Sequence, residues 1–141
     1  MMFWNKTITL YNRFEDAQTG IIKWYRHKLE NCFYKSTYNT SNTGTEQIRS
    51  EDTIIRIPEQ GNYLAKYKWI ELSDSERCRY MTLQSGDLIV LGDITDSIDE
   101  YTAGKRSSDL LKKHSAHGAI LIRHININDF LPGAHYLVKG R

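Results

Sequence analysis

The sequence is poor in the features that announce a chemistry. Two cysteines, two prolines and nine glycines punctuate 141 residues. That excludes a disulfide-stapled scaffold and a collagen-like or low-complexity chain. Cys32 and Cys78 are expected as free thiols in or near the core. No apolar run approaches the ~20 residues that span a bilayer, so no membrane partner is expected. The start, Met1-Met2-Phe3-Trp4-Asn5-Lys6, has neither a long apolar stretch nor a small-residue cleavage site. The expectation is a product of the cytoplasm that is not exported by the usual route. Nineteen basic and 17 acidic side chains leave a net charge of +2. This lacks the excess of a dedicated nucleic-acid binder, though a local basic surface stays open.

Catalytic and metal motifs are missing too. Five histidines are present, and His114 and His117 could share a helix face. No Cys or acidic residue sits at companion spacing to complete the four ligands of a zinc site. Asp93, Asp96, Asp99 and Glu100 recur at threes rather than at the alternate positions of a calcium loop. Gly104-Lys105 resembles the end of a phosphate loop, but Asp99 stands where the earlier glycine belongs and Arg106 where Ser or Thr belongs. Neither cysteine carries a nucleophile signature. The sequence therefore reads as a non-enzyme without a cofactor or metal.

What is present is strand pattern. Aromatic residues, 11% of the chain, fall mostly in short alternating segments that fit a pleated sheet. Residues 7–14 alternate, with Ile8, Leu10 and Phe14 opposed to Thr7, Thr9, Tyr11 and Arg13, as in a half-buried strand. A polar loop ending at Gly20 leads to a strand from Ile21 to His27, which suggests a hairpin. Leu29–Ser36 continues the pattern, with Leu29 and Phe33 opposed to Cys32 and Tyr34. Thr53–Ile57 is a strand stopped by Pro58. Tyr67–Leu72 reads as a short strand. Ser73 and Glu76 have the spacing of a capping box. Leu88-Ile89-Val90-Leu91 lies between two Gly-Asp pairs, Gly86-Asp87 and Gly92-Asp93. It reads as a buried strand between tight turns, with partners on both sides. Ser107 or Ser108 can cap a helix that ends at Gly118. Lys105 and Arg106, beside Lys112 and Lys113, could form a basic patch, although a solvated helix face is the plainer reading. In Ala119–Asn128, Ile120 and Ile122 fall out of phase with Ile125 and Ile127. That implies burial on both faces or a bulge near Arg123-His124. Tyr136–Val138 is the last strand. The chain reads as a single domain, 1–141, mainly β with one or two short helices.

One stretch stands apart. Between Ser36 and Thr53 only Tyr38 and Ile48 are large and apolar, too little to order the segment by burial. Two readings are open for 37–52: a flexible interaction loop that orders on assembly, or an extended hairpin with a solvated tip.

Several segments together resemble small proteins from structural gene clusters of tailed phages and prophages of Gram-positive bacteria. They are Met-Phe-Trp-Asn-Lys-Thr-Ile-Thr-Leu-Tyr-Asn (2–12), Lys-Trp-Tyr-Arg-His (23–27), Ile-Ile-Arg-Ile-Pro (54–58) and Leu-Gln-Ser-Gly-Asp-Leu-Ile-Val-Leu-Gly (83–92). Tyr-Thr-Ala-Gly-Lys-Arg-Ser-Ser-Asp-Leu (101–110) and Phe-Leu-Pro-Gly-Ala-His-Tyr-Leu-Val-Lys-Gly (130–140) complete the set. The order of parts is similar to head-completion, or stopper, proteins of the head–tail connector. The resemblance implies a small antiparallel β-barrel or sandwich with a long mobile hairpin loop. It also implies a virion protein that forms a ring with copies of itself, closes the DNA-filled head and docks the tail. Its implied partners are portal or adaptor protein, tail proteins and packaged DNA in the channel. Contacts would come from Thr43, Gly44, Gln47, Ile48 and Arg49, and secondarily from Lys105 and Arg106. The alternatives are a tail terminator or other minor capsid or tail component, a nucleic-acid-binding β-barrel, or a small enzyme whose site is spread over the fold.

Overall fold

The computed structural model describes residues 4–43, 46–128 and 135–141. Six antiparallel strands close a barrel in the order β1-β2-β3-β6-β5-β4. They are β1 (Lys6–Glu15), β2 (Ile22–Thr43), β3 (Glu46–Pro58), β4 (Leu88–Leu91), β5 (Ile120–Asn128) and β6 (His135–Gly140). Three short helices, α1 (Lys66–Trp69), α2 (Asp74–Arg79) and α3 (Ser107–Lys113), lie between β3 and β5.

The short apolar strand holds the seam. β4 pairs with β1 from Ile8↔Leu91 to Tyr11↔Leu88 and with β5 through Leu88↔Leu121 and Ile89↔Ile120. Its two neighbours are thus the partners that an apolar run between Gly-Asp turns requires. Gly86 and Gly92 both take positive φ, 99° and 96°. Inside the barrel, Ile8, Leu10, Ile55, Ile57, Ile89, Ile122 and Val138 form the main core.

Two bulges set which side chains face inward. Lys6 pairs with Cys32 but Ile8 with Leu29, so β2 carries one extra residue there. Asn31 sits in that bulge at φ 59°, a conformation Asn tolerates better than most residues. Leu29 and Cys32 consequently share the buried inner face, where simple alternation places them on opposite sides. On β5 the register slips between Ile122 and His124. Arg123 and His124 are both exposed, while Ile122 is buried and Ile125 packs against the core. This is the bulge that the phase change implies.

β1 is not half-buried. Residues Ile8 through Asn12 are all buried, because segment 93–119 crosses back over the outer wall. Tyr11, Leu88, Val90 and Leu110 form a second core there, with Trp24, Ile94 and Ile98 against it. The face that reads as solvated is a packing face.

Three local readings also change. Residues 66–69 form a helix where Tyr67–Leu72 reads as a strand. Trp69 is fully buried and meets Phe14 and Tyr25 edge-on, with centroids at 6.1 and 5.6 Å. This helix is therefore fixed by its anchor rather than by periodicity. Ser73 caps α2 in a capping box with Glu76, as its spacing predicts. The N-cap of α3, however, is Arg106 rather than a serine. Its N–H donates to Asp109 Oδ2 at 3.1 Å, and the Ser107 N–H donates to Glu100 Oε1 at 2.7 Å. Carboxylates satisfy the free donors there. Gly118 does end the helical stretch, at φ 75°. Cys32 is buried, but Cys78 is exposed.

Candidate assembly site

The polar stretch is a hairpin. β2 runs on past the barrel to Thr43 and turns back through β3, with pairs from Thr37↔Asp52 to Thr43↔Glu46. β1 leaves β2 at Cys32, and β6 leaves β3 at Thr53. Beyond Ser36 and Thr53, then, two strands continue alone among the described residues. Seven residue pairs at ~3.4 Å per residue make an arm about 20 Å long. Main-chain pairing joins its two strands, and among the described residues both outer edges keep unpaired backbone groups. Thr43, Gln47, Ile48 and Arg49 lie in its paired backbone; Gly44 lies outside the described residues.

The arm is tied to the barrel at its base. Ser36 Oγ and Thr53 Oγ1 share a hydrogen bond of 3.0 Å across the two strands. Arg141 Nε donates to Asp52 Oδ1 at 2.9 Å. Tyr34 Oη donates to the Gly118 carbonyl at 3.0 Å, which locks β2 to the turn before β5. Beside this base lies a groove of about 700 Å³ lined by Tyr34, Ser36, Leu91, Ile94, His114 and His117. His114 Nε2 lies 3.2 Å from Asp96 Oδ2. Lys113 Nζ donates to the same oxygen at 2.7 Å. Bonds from Lys113 and then His114 hold the Asp96 carboxyl below its ordinary range.

Lys105 and Arg106 line a different cavity, of about 260 Å³, with Asp96, Gly104, Asp109 and Lys113. They are not part of the arm's base. Asp96 and Asp109 line the same corner: Lys113 Nζ pairs with Asp96, and the Arg106 backbone N–H donates to Asp109.

A buried polar network lies at β4. Asn12 Nδ2 donates to Asp87 Oδ2 at 2.7 Å and the Arg13 N–H donates to Oδ1 at 2.8 Å. The Gln84 N–H donates to Oδ2 at 3.2 Å. The Asn12 amide is itself oriented by Thr82, whose N–H it accepts and whose carbonyl it donates to. All three groups facing Asp87 are donors, so the site is built for a carboxylate. Burial works the other way and pushes its carboxyl up to about 7. The Gly-Asp turn predicts neither the burial nor the network. Among the described residues, no group of three or more His, Cys, Asp or Glu is placed to hold a metal ion.

Residues 3–141 match a family described as "Family of unknown function (DUF6751)". The chain belongs to that family. No curated protein and no solved structure matches the chain.

Proposed function

We propose that this DUF6751 protein is a structural subunit of a phage head–tail connector, stopper-like, that assembles into a ring between head and tail. The observation that carries the reading is the two-stranded arm. An isolated hairpin is marginal in water, and this one has few large apolar residues with which to build a face. Its open edges suit pairing with a neighbouring chain. Head-to-tail contacts of that kind close into rings when the rotation closes. The barrel then supplies a rigid body, and the arm supplies contacts to a neighbouring copy or to portal, adaptor or tail proteins. A tail terminator would use the same parts at a different level of the neck.

The test is genetic and structural. In a phage that carries this gene, deleting it is expected to give tailless heads that lose DNA alongside free, full-length tails. A variant lacking only 38–51 should give the same phenotype. Intact infectious virions from either strain would overturn the proposal.

A further inference from the structure

One side of the barrel wall is covered by a return of the chain. Segment 93–119 packs over β1 and β4. Trp24 of β2 and Leu121 of β5 join that covering, and the outward positions further along β2, β3, β6 and β5 form a separate surface. Register fixes what that face carries. Lys35, Ile54, Lys139 and His124 lie side by side across the four strands. Phe33, Arg56, Leu137 and Asn126 form the next row. The β5 bulge adds Arg123 beside His124, and Arg141 follows at the edge, against Asp52.

Lys35, Arg56, Arg123, Lys139 and Arg141 thus lie on or beside this face together with Asp52, in a chain whose net charge is only +2. The rest of the molecule is net negative, so charge is segregated onto this wall. Lys35, Arg123 and Lys139 have no acidic partner among the described residues. His124 and Lys139 stand directly opposite each other. A surface arranged this way is stabilised by an anion.

We propose that this face binds the phosphate backbone of duplex nucleic acid, without reading its sequence. Four strands at ~4.8 Å spacing give a wall about 15 Å wide, enough to meet about four phosphates of one strand at 3.4 Å rise each. A duplex fits better than a single strand. Single-strand grooves stack bases on exposed aromatic rings, and the aromatic on this face, Phe33, is half-buried. Half-buried Phe33, Ile54 and Leu137 keep the wall flat between the charges. This face is present on a single chain, so such binding needs no ring.

The test uses the intact protein and a fluorescent DNA duplex of about 30 base pairs, titrated by anisotropy between about 50 and 200 mM salt. Four phosphate contacts predict a slope of log affinity on log salt near −3.6, or roughly a hundredfold loss over that range. Arg123→Glu with Lys139→Glu should cut affinity at least tenfold and bring the slope to about −2, at an unchanged melting temperature. Lys66→Glu with Lys68→Glu, on exposed α1, should change neither. No binding at the lowest salt, or equal losses in both variants, overturns the proposal. Loss of self-association in the Arg123/Lys139 variant, with no DNA binding by the wild type, also overturns it and assigns the face to an acidic protein neighbour.

Discussion

At Asp87 two residue-scale forces oppose each other. Three donors favour the anion while burial disfavours it. Asp87→Asn keeps the shape but turns an NH₂ toward those donors. It should cost about 1–3 kcal/mol, measured by denaturant unfolding. The pH dependence has a definite sign. A carboxyl raised from 3.8 to about 7 makes the folded state bind more protons in that interval. Its contribution to stability is full below about pH 4 and is lost as pH rises through about 7. Buried His27 works in the opposite sense. Burial, aided by the charge of Arg26, lowers its pKa from 6.5 to about 4, so the unfolded chain takes up the proton first. Stability is then lost as pH falls from about 6.5 toward 4. His27→Leu should flatten that acid limb in melts taken at pH 7 and pH 5; an unchanged limb would place the acid sensitivity elsewhere. Gly118 is constrained by space as well as by φ. A Cβ there would lie 2.5 Å from Tyr34 Oη. Gly118→Ala should destabilise by about 1–3 kcal/mol, and Gly118→Ala with Tyr34→Phe should recover part of the loss.

At the scale of elements, the arm and the barrel are separable. Joining Thr37 to Asp52 through Asn-Gly, which suits a two-residue hairpin turn, removes 38–51. It keeps the Ser36–Thr53 and Arg141–Asp52 contacts. The melting temperature should move by no more than about 5 °C, because segment 38–51 adds strand pairing but holds only two large apolar residues, Tyr38 and Ile48. A collapse of the melt would show that the arm belongs to the fold rather than to assembly. The β1 strand illustrates the reverse case. Its Thr9 and Tyr11 alternate like solvent-facing residues, yet both are buried. Thr9 Oγ1 donates to the Gly92 carbonyl at 2.8 Å, and Tyr11 Oη donates to the Asp96 carbonyl at 2.6 Å. A chain excursion more than 80 residues away in sequence supplies these partners. That covering is invisible to any local window.

For the whole molecule, closure is a long-range event. Ile8 meets Leu91, and Thr53 meets Gly140, so the barrel closes only after most of the chain is placed. Loop-closure entropy is then spent before these pairs form. Refolding should run in milliseconds to seconds, as read by stopped-flow Trp fluorescence; microsecond folding would contradict the topology. Charge also acts at this scale. Lys35, Arg56, Arg123 and Lys139 are far apart in sequence, each at an outward position of its own strand. Only the register adds them into one surface.

The sequence by itself determined the elements whose cause is local. The apolar run 88–91, flanked by Gly-Asp turns, could only be a buried strand with two neighbours. The Ser73–Glu76 spacing capped a helix, Gly118 stopped one, and the isoleucine phase slip marked the β5 bulge. The mainly β pattern with few short helices left a small barrel or a sandwich open, and the structure is a closed barrel. Tertiary structure alone decided the rest. It made the polar stretch a paired arm, put Leu29 and Cys32 on one face through the Asn31 bulge, and turned residues 66–69 into a helix around Trp69. It also buried β1 on both sides and gathered scattered cations on one wall. The physical reason is range. Turns, caps and periodicity act within a few residues of their cause. Pairing partners, burial and summed charge depend on which distant segments the closed barrel brings together.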